Sequence, residues 1–365
     1  MRILHFAETL PGGPASILEE IAPHQLARWG SDNVRFLLPR KDRHHVPRIP
    51  DYAFSGFEYS GRSIIPLWRL SLRLHREIRE FRPHILHLHS TFAGLVGRAP
   101  WVALNGTKVI YCAHGWAFCR DSGHLSNFGA QVIERILSKR TDAIINISDF
   151  EHQMALKAGL PSDRLKLIRN GIADRPRTTR HPHDNGLHIL FVGRHDPQKG
   201  LDIALSAVSR LTRTDLTLHI VGEPVVSRDR EQLTQPNLKV HGWLPREEVF
   251  ALMERVDALI MPSRWEGFGL AAVEAMRAGI PVIASDAGAL PEVVEHGQTG
   301  YIFPSEDERS LTKILEELKV PALMKMGQTA RIRYESLFRS TAMNAQIDEL
   351  YTGMTAISAR PHKLQ

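Results

Sequence analysis

Two loops in the second half of the sequence hold side chains suited to an anionic ligand. In Gly193-Arg194-His-Asp-Pro-Gln-Lys199-Gly200, two cations five positions apart flank a turn. An arginine fork and a lysine point charge together suit a pyrophosphate, whereas either alone would read as a solvated surface charge. In Pro262-Ser-Arg-Trp-Glu266-Gly267-Phe268-Gly269-Leu270-Ala-Ala-Val-Glu274-Ala, two glutamates lie with seven residues between them, and Gly267 and Gly269 expose backbone N–H groups beside them. The run after Gly269 is mostly apolar, so Glu274 is expected to be at least partly buried. A buried carboxylate needs a partner, which a pair of ligand hydroxyls could supply; the plainer alternative is a helix-cap carboxylate with a salt bridge. Near the N-terminus, Glu8-Thr-Leu-Pro-Gly12-Gly13-Pro14 offers paired glycines ahead of a helix. Glycine lets a backbone approach a ligand, and a helix N-terminus favours negative charge. The pattern is not G-x-G-x-x-G and lacks an acidic ribose partner, so a nicotinamide site is poorly supported; alone, the pair reads as a tight turn. Cys112, His114 and Cys119 raise a metal, but a fourth ligand at suitable spacing is missing and no metal is expected.

These loops sit between short apolar β-type runs and amphipathic helical runs that alternate almost throughout. The first half predicts strands at 2–6, 33–38, 85–89, 107–113 and 142–147, with helices at 14–28, 66–81, 92–103, 126–139 and 149–158. The second predicts strands at 187–192, 216–221, 237–241, 257–261, 280–284 and 299–303, with helices at 199–211, 245–255, 269–278, 289–295, 306–318 and 321–336. Alternation of this kind implies an α/β fold of parallel sheets with helices on both faces. Residues 173–186 are polar, hold two prolines and have no periodicity, which makes them the expected linker. Ligands of doubly wound sheets bind off the carboxyl ends of strands, where loops enter helices, so function is expected there.

Length and composition agree. The chain has 365 residues, 43% of them hydrophobic and 24% charged, and only two cysteines. That excludes collagen-like, disulfide-stapled and largely disordered classes, and a chain this long is expected to form two domains. Residues 1–180 carry 26 Lys and Arg against 16 Asp and Glu, whereas residues 181–365 carry 20 against 24. The basic charge is therefore one-sided. The short apolar run after Met1 lacks the length of a signal peptide, no stretch approaches the roughly 20 apolar residues of a membrane span, and two cysteines fit a reducing compartment. A cytoplasmic protein is the expectation, with a peripheral place on the inner face of the plasma membrane as one reading of the basic helix at 66–81.

The order of motifs resembles the retaining GT-B glycosyltransferases of family 4. It runs from Gly-Gly near the N-terminus, through Gly-Arg-x4-Lys-Gly, to Pro-Ser-x2-Glu-Gly-Phe-Gly-Leu-x3-Glu-Ala. It continues in Gly279-Ile-Pro-Val-Ile-Ala-Ser, Gly288-Ala-Leu-Pro-Glu292-Val-Val and Gly297-Gln-Thr-Gly-Tyr-Ile. The match is strong from about 188 to 303 and looser before. The resemblance implies two Rossmann-like doubly wound domains facing a central cleft. Residues 1–172 would bind the acceptor and 187–337 the donor, and a C-terminal helix, about 338–365, would cross back to the first domain. It implies that Arg194 and Lys199 hold the donor pyrophosphate and that Glu274 binds the ribose hydroxyls. Glu266, with the backbone of Gly267, Phe268, Gly269 and Leu270, would meet the donor sugar and distal phosphate. Gly12 and Gly13 would approach the same phosphates, His114 would be a positioning donor near the reacting carbon, and Trp243 would mark the base-binding loop. Two departures stand out: Val221-Gly-Glu223-Pro224 lacks a second glycine, and Gly288-Ala289-Leu290 replaces Gly-Gly.

Such an enzyme moves a sugar from a nucleotide sugar, here expected to be a UDP-sugar, to a glycan or lipid-linked acceptor with retention, in cell-surface polysaccharide or glycolipid synthesis. Arg194, Lys199 and helix dipoles would stabilise the departing diphosphate, so no metal or other cofactor is expected, in keeping with the absence of an Asp-x-Asp motif. Same-face attack is favoured over a covalent Glu266 adduct. In helix 66–81, Leu67, Leu70, Leu74, Ile78 and Phe81 form an apolar stripe and Arg69, Arg73, Arg76 and Arg79 the remaining surface. Arg40, Lys41, Arg43, His44 and His45 add to the basic surface. An anionic membrane docked through Arg69, Arg73 and Arg76 is one reading; a core-packed helix with Glu77 and Glu80 on a solvated face is the other. A GT-B-shaped sugar-nucleotide epimerase, an inert carbohydrate-binding scaffold and a nucleic-acid-binding protein are the alternatives. The last lacks any recognised module, and no nucleic acid is expected as partner.

Overall fold

A computed structural model describes residues 1–59, 61, 63–119, 123–176, 186–223 and 237–358. The chain divides into two units, one of residues 1–173 with the segment from Ser340 onward and one of Asp174–Arg339. Of the expected linker 173–186, residues 177–185 lie outside the described residues, as does Pro224.

The first unit is a seven-stranded parallel sheet. Its strands are β1 (Ile3–Ala7), β2 (Val34–Pro39), β3 (Phe54–Phe57), β4 (Ile85–His89), β5 (Lys108–Cys112), β6 (Ala143–Asn146) and β7 (Leu165–Leu167), ordered β3-β2-β1-β4-β5-β6-β7. Its helices are α1 (Gly13–Trp29), α2 (Ile64–Phe81), α3 (Thr91–Gly97), α4 (His124–Ser138), α5 (Asp149–Lys157) and α12 (Ser340–Ser358). Side chains alternate across the sheet. Leu4, Phe6, Leu86, Leu88, Val109 and Tyr111 pack into one core with Leu70, Leu74 and Ile78 of α2 and Val96 of α3. The other positions of β1 and β4 hold His5, His87 and His89, all buried. α12 packs against α1: Asp348 bonds His24 (2.8 Å) and Arg28 (2.9 Å), and Asn344 Nδ2 donates to the Glu20 carbonyl (3.2 Å).

Three features differ from the sequence expectation. β3 and β7 were not expected; both are short sheet-edge strands paired on one side only, too brief to show alternation. The helix expected at 92–103 stops at Gly97. Pro100 disfavours helical backbone at the residue before it, and Arg98 folds back onto the Gly94 carbonyl (2.8 Å) and the Glu134 carboxylate (2.8 Å) instead. Glu77 is not on a solvated face. It is buried, accepting from Arg35 (2.7 Å), Arg73 (2.5 Å) and the Ser55 hydroxyl of β3 (2.9 Å). That network ties α2 to the edge strand and commits Arg73 to a structural contact.

The second unit is a six-stranded parallel sheet of β8 (Leu187–Val192), β9 (Leu216–Val221), β10 (Leu238–Gly242), β11 (Ala258–Met261), β12 (Val282–Ser285) and β13 (Gly300–Phe303), ordered β10-β9-β8-β11-β12-β13. Its helices are α6 (Leu201–Ser209), α7 (Arg246–Met253), α8 (Leu270–Ala278), α9 (Leu290–Val293), α10 (Glu308–Glu317) and α11 (Val320–Leu337). Ile189, Phe191, Leu218, Ile220, Ile260 and Ile283 of the strands bury against Ile203, Ala207, Leu311 and Leu315 of α6 and α10. Each fully buried aliphatic side chain of this kind contributes about 1.5–3 kcal/mol.

Burial alone would raise the Glu77 carboxyl, but hydrogen bonds from Arg35 and Arg73 override it and hold its pKa below the ordinary value. A carboxylate depressed in this way stabilises the fold above its unfolded pKa, and the contribution is lost as pH falls through the folded value. Glu77→Gln is therefore expected to lower the unfolding free energy measured in urea at neutral pH by about 1–3 kcal/mol. The gap to wild type should close on acidification; a gap independent of pH would contradict this assignment.

Candidate functional site

In the second unit, the loops that follow β8 and β11 emerge side by side, because those two strands are hydrogen-bonded neighbours. The loops are stitched together. Arg264 N donates to the Gln198 carbonyl (2.8 Å), Gln198 Nε2 to the Trp265 carbonyl (3.3 Å), and Arg264 Nη1 to the Pro197 carbonyl (2.7 Å). Arg264 also grips Asp202 through both terminal nitrogens (3.0 and 2.7 Å) and Glu306 through Nε (2.8 Å), and these carboxylates, Asp202 foremost, push its pKa up. The approach is close enough to require glycine. A Cβ at Gly200, where φ is +67°, would meet the Pro262 carbonyl oxygen at 2.0 Å.

Lys199 and Glu266 meet across this seam, Nζ to Oε2 at 2.7 Å, with Ser263 Oγ on the same oxygen at 3.4 Å. The backbone carbonyl of Glu266 accepts from Ala289 N (3.0 Å), and a Cβ at Gly288 would strike that carbonyl at 2.0 Å. This resolves one departure from the family pattern. Gly288, at φ +58°, is the position that needs glycine, whereas Ala289 sits at φ −87°, open to any L-residue. Arg194 is exposed and pairs with Asp196 (2.9 Å). α8 begins at Leu270 behind Gly269, whose φ of +95° again suits glycine, and the first N–H groups and the dipole of a helix favour an anion. The Phe268 side chain is buried against Phe338, ring centroids 5.8 Å apart, leaving its backbone to the loop.

Glu274 is mostly buried, as the apolar run predicts, but its partner here is Arg246, at 3.0 Å. That bond brings the start of α7 to Glu274. Trp243, three residues earlier, is 66% exposed, and the turn at Gly242 is held by Gly222 N donating to its carbonyl (2.8 Å). Glu274 also borders a cavity lined by Arg175, Phe250, Arg277 and Met324. The second unit thus gathers Arg194, Lys199, Glu266, the Gly267–Gly269 turn, Leu270 and Glu274 at the carboxyl end of its sheet.

The first unit holds the other expected residues at the same end of its own sheet. Gly12 caps α1 with φ +93°, and both Gly12 and Gly13 are exposed with open space where a Cβ would stand. His114 follows β5 at φ +51°, a left-handed conformation that non-glycine residues rarely adopt. Its Nε2 bonds His89 Nδ1 (3.0 Å), His89 Nε2 bonds His5 Nδ1 (3.0 Å), and His5 Nε2 bonds Gln25 Oε1 (2.8 Å). Burial lowers the pKa of His5 and of His114 to about 4 and holds those of His87 and His89 well below the ordinary value, so the rings are neutral at pH 7. The sequence reading missed this chain, and its one signal was His87-x-His89 together with His5, a period-2 pattern of polar residues in strands otherwise apolar.

His5, His87 and His89 each bring a ligand atom within 4.8 Å of the others, the donor count of a three-histidine metal site. Five of their six nitrogens are engaged: His5 bonds Gln25 and His89, His89 also bonds His114, and His87 Nδ1 bonds the Tyr351 hydroxyl (2.6 Å), while His87 Nε2 has no partner among the described residues. His87 and His89 are also stacked, 4.1 Å apart at 29°, whereas a shared metal must lie in the plane of every ring that binds it. Cys112 and Cys119 offer no thiolate, since burial pushes both thiols up, Cys119 to about 12.

Comparison with known proteins agrees with these two units. The family description "Glycosyltransferase Family 4" matches residues 11–175 and "Glycosyl transferases group 1" matches residues 177–331. The chain is 30% identical over 364 residues to a 41.2 kDa protein of the cps region of Klebsiella pneumoniae, covering 96% of this chain and 99% of that one. It is 29% identical to the phosphatidyl-myo-inositol mannosyltransferase of Mycolicibacterium smegmatis, covering 94% and 90%. Among solved structures, Anabaena HepE in complex with UDP superposes with a TM-score of 0.78 at 20% identity, covering 97% of this chain and all of that one. Sucrose-phosphate synthase of Thermosynechococcus elongatus gives 0.83 at 18% identity, covering 98% and 100%. The two Rossmann-like parallel sheets and the matched sequence show that this chain belongs to glycosyltransferase family 4 and is a glycosyltransferase of the GT-B fold.

Proposed function

We propose that the protein transfers a sugar from a UDP-sugar to a glycan or lipid-linked acceptor, with retention of anomeric configuration, in the synthesis of a cell-surface polysaccharide or glycolipid. The observation that carries this is the stitched pair of loops after β8 and β11, where Lys199, Glu266 and the α8 N-terminus lie together and Arg194 stands exposed beside them. UDP is bound by the HepE neighbour, and the Klebsiella relative lies in a cps region. Both support the choice of donor and of pathway.

In this reading Arg194, Lys199 and the dipole of α8 take up the charge of the departing diphosphate, and no metal is called for. Glu274 releases Arg246 in part to accept the ribose hydroxyls, and the base lies near the Trp243 backbone. Glu266, held by Lys199 and Ser263, positions the sugar with Gly267, Phe268, Gly269 and Leu270. A carboxylate so committed is a poor covalent nucleophile, which favours same-face attack with the leaving phosphate taking the acceptor proton. In the first unit His114 and the Gly12–Gly13 turn are the groups offered to the donor.

No helix among the described residues is long and apolar enough to cross a membrane. The proposed location is the cytoplasmic leaflet, reached peripherally. α2 presents Ile64, Ile65, Trp68 and Leu72 to solvent beside exposed Arg69 and Arg76, and α4 adds Leu125 and Phe128. Basic and apolar side chains interleaved on exposed helices suit an anionic lipid surface. Because Arg73 is committed to Glu77, the membrane set narrows to Arg69 and Arg76. Arg69→Gln/Arg76→Gln is expected to weaken binding to phosphatidylglycerol vesicles while UDP binding stays unchanged; equal vesicle binding would remove the membrane from the proposal.

Assay of UDP-, GDP- and ADP-sugars for nucleotide release should show turnover of a UDP-sugar, with the product's anomeric proton retaining the donor configuration. Glu274→Ala should lower kcat/KM about 10- to 100-fold, the worth of one or two hydrogen bonds to a charged group. Normal turnover by this variant would exclude Glu274 from the donor site.

A further inference from the structure

His114 ends a chain whose direction is set at its far end. A neutral imidazole has one N–H, so each ring that donates at one nitrogen must accept at the other. Gln25 Oε1, an acceptor, faces His5 Nε2 at 2.8 Å, which places the His5 proton on Nε2. His5 Nδ1 must then accept from His89 Nε2, and His89 Nδ1 from His114 Nε2. The proton of His114 is thereby fixed on Nε2, and its Nδ1 is bare. That Nδ1 is buried and meets no partner among the described residues.

The opposite polarity requires the other orientation of the Gln25 amide. Turning the Gln25 amide over would reverse every bond and bury an N–H at His114 Nδ1, whereas the orientation seen makes that nitrogen a bare acceptor and leaves the N–H without a partner among the described residues at Gln25 Nε2. Tyr351 bonds His87 Nδ1, so α12 closes the buried cluster from its outer side.

We propose that Gln25, His5 and His89 are positioning residues that lock His114 in the Nε2–H tautomer, so that its Nδ1 is a hydrogen-bond acceptor for a hydroxyl of the bound sugar rather than a proton donor. The part concerning the sugar rests on the glycosyltransferase reading above; the tautomer itself does not. It also changes the role expected for His114 from the sequence. A group locked as an acceptor cannot hand a proton to the departing phosphate, which is consistent with the acceptor hydroxyl supplying that proton.

The test is long-range 1H–15N correlation of the full-length protein labelled with 15N-histidine, His114 being assigned from the spectrum of His114→Gln. Wild type is expected to show His114 with a protonated Nε2 and a pyridine-type Nδ1. Gln25→Met removes the terminal acceptor and should mix the two tautomers, whereas Gln25→Glu keeps an acceptor and should preserve the wild-type pattern. Gln25→Met should also lose about fivefold in kcat/KM, the worth of one neutral hydrogen bond, with UDP affinity unchanged because UDP carries no transferred sugar. His114 protonated at Nδ1 in wild type, an unaltered His114 spectrum in Gln25→Met, or an equal loss of UDP affinity would each overturn the proposal. A wild-type protein with the expected tautomer but no turnover of any nucleotide sugar would instead overturn the functional reading and leave the locked tautomer standing.

Discussion

β8 and β11 are hydrogen-bonded neighbours that belong to opposite halves of their sheet, and the second unit's site depends on that adjacency. The strand order β10-β9-β8-β11-β12-β13 reverses direction between them, which opens a crevice where the loops leave to opposite faces. Lys199 and Glu266 come from those two loops and close on each other, while Gly200 and Gly288 permit the backbone contacts that hold the seam. In the proposed function, a phosphate entering there would meet Lys199, Arg194 and the N–H groups at the start of α8.

The first unit repeats the arrangement with different chemistry. Its order, β3-β2-β1-β4-β5-β6-β7, turns between β1 and β4, and those strands supply His5, His87 and His89. Parallel register sets His5 opposite His87, so that His89, two residues on, reaches the His5 ring diagonally. Charged side chains in these positions would be costly to bury; neutral imidazoles that bond one another are not. One unit thus carries exposed or half-buried ions and the other a buried neutral chain. The charge division in the sequence does not mirror this, because the basic excess of residues 1–180 lies on surfaces such as α2 and not among the site residues.

Much of this was legible in the residues. Long apolar strands and helices with a clear period appear within a few residues of their expected bounds, and the two donor-type loops are local patterns in which chemistry and turn residues occur together. What was hidden depends on contacts distant in sequence. β3 and β7 have one partner each and too few residues to show a pattern. Glu77 reads as a surface residue until Arg35 and Ser55 are brought to it from other strands. The histidine chain joins positions 5, 25, 89 and 114, which only the parallel register makes neighbours. Glu274 was expected to be buried, and the sequence left open whether a ligand or a salt bridge would partner it; the structure places Arg246 there.

The central claim is that the seam between the β8 and β11 loops binds a diphosphate, and titration calorimetry with UDP, UMP and uridine on wild type and Lys199→Met tests it most directly. Wild type should bind UDP more tightly than UMP, and Lys199→Met should shrink that preference about 10- to 100-fold, as loss of a charge-assisted bond to the second phosphate does. An undiminished preference for UDP over UMP in Lys199→Met would contradict the account.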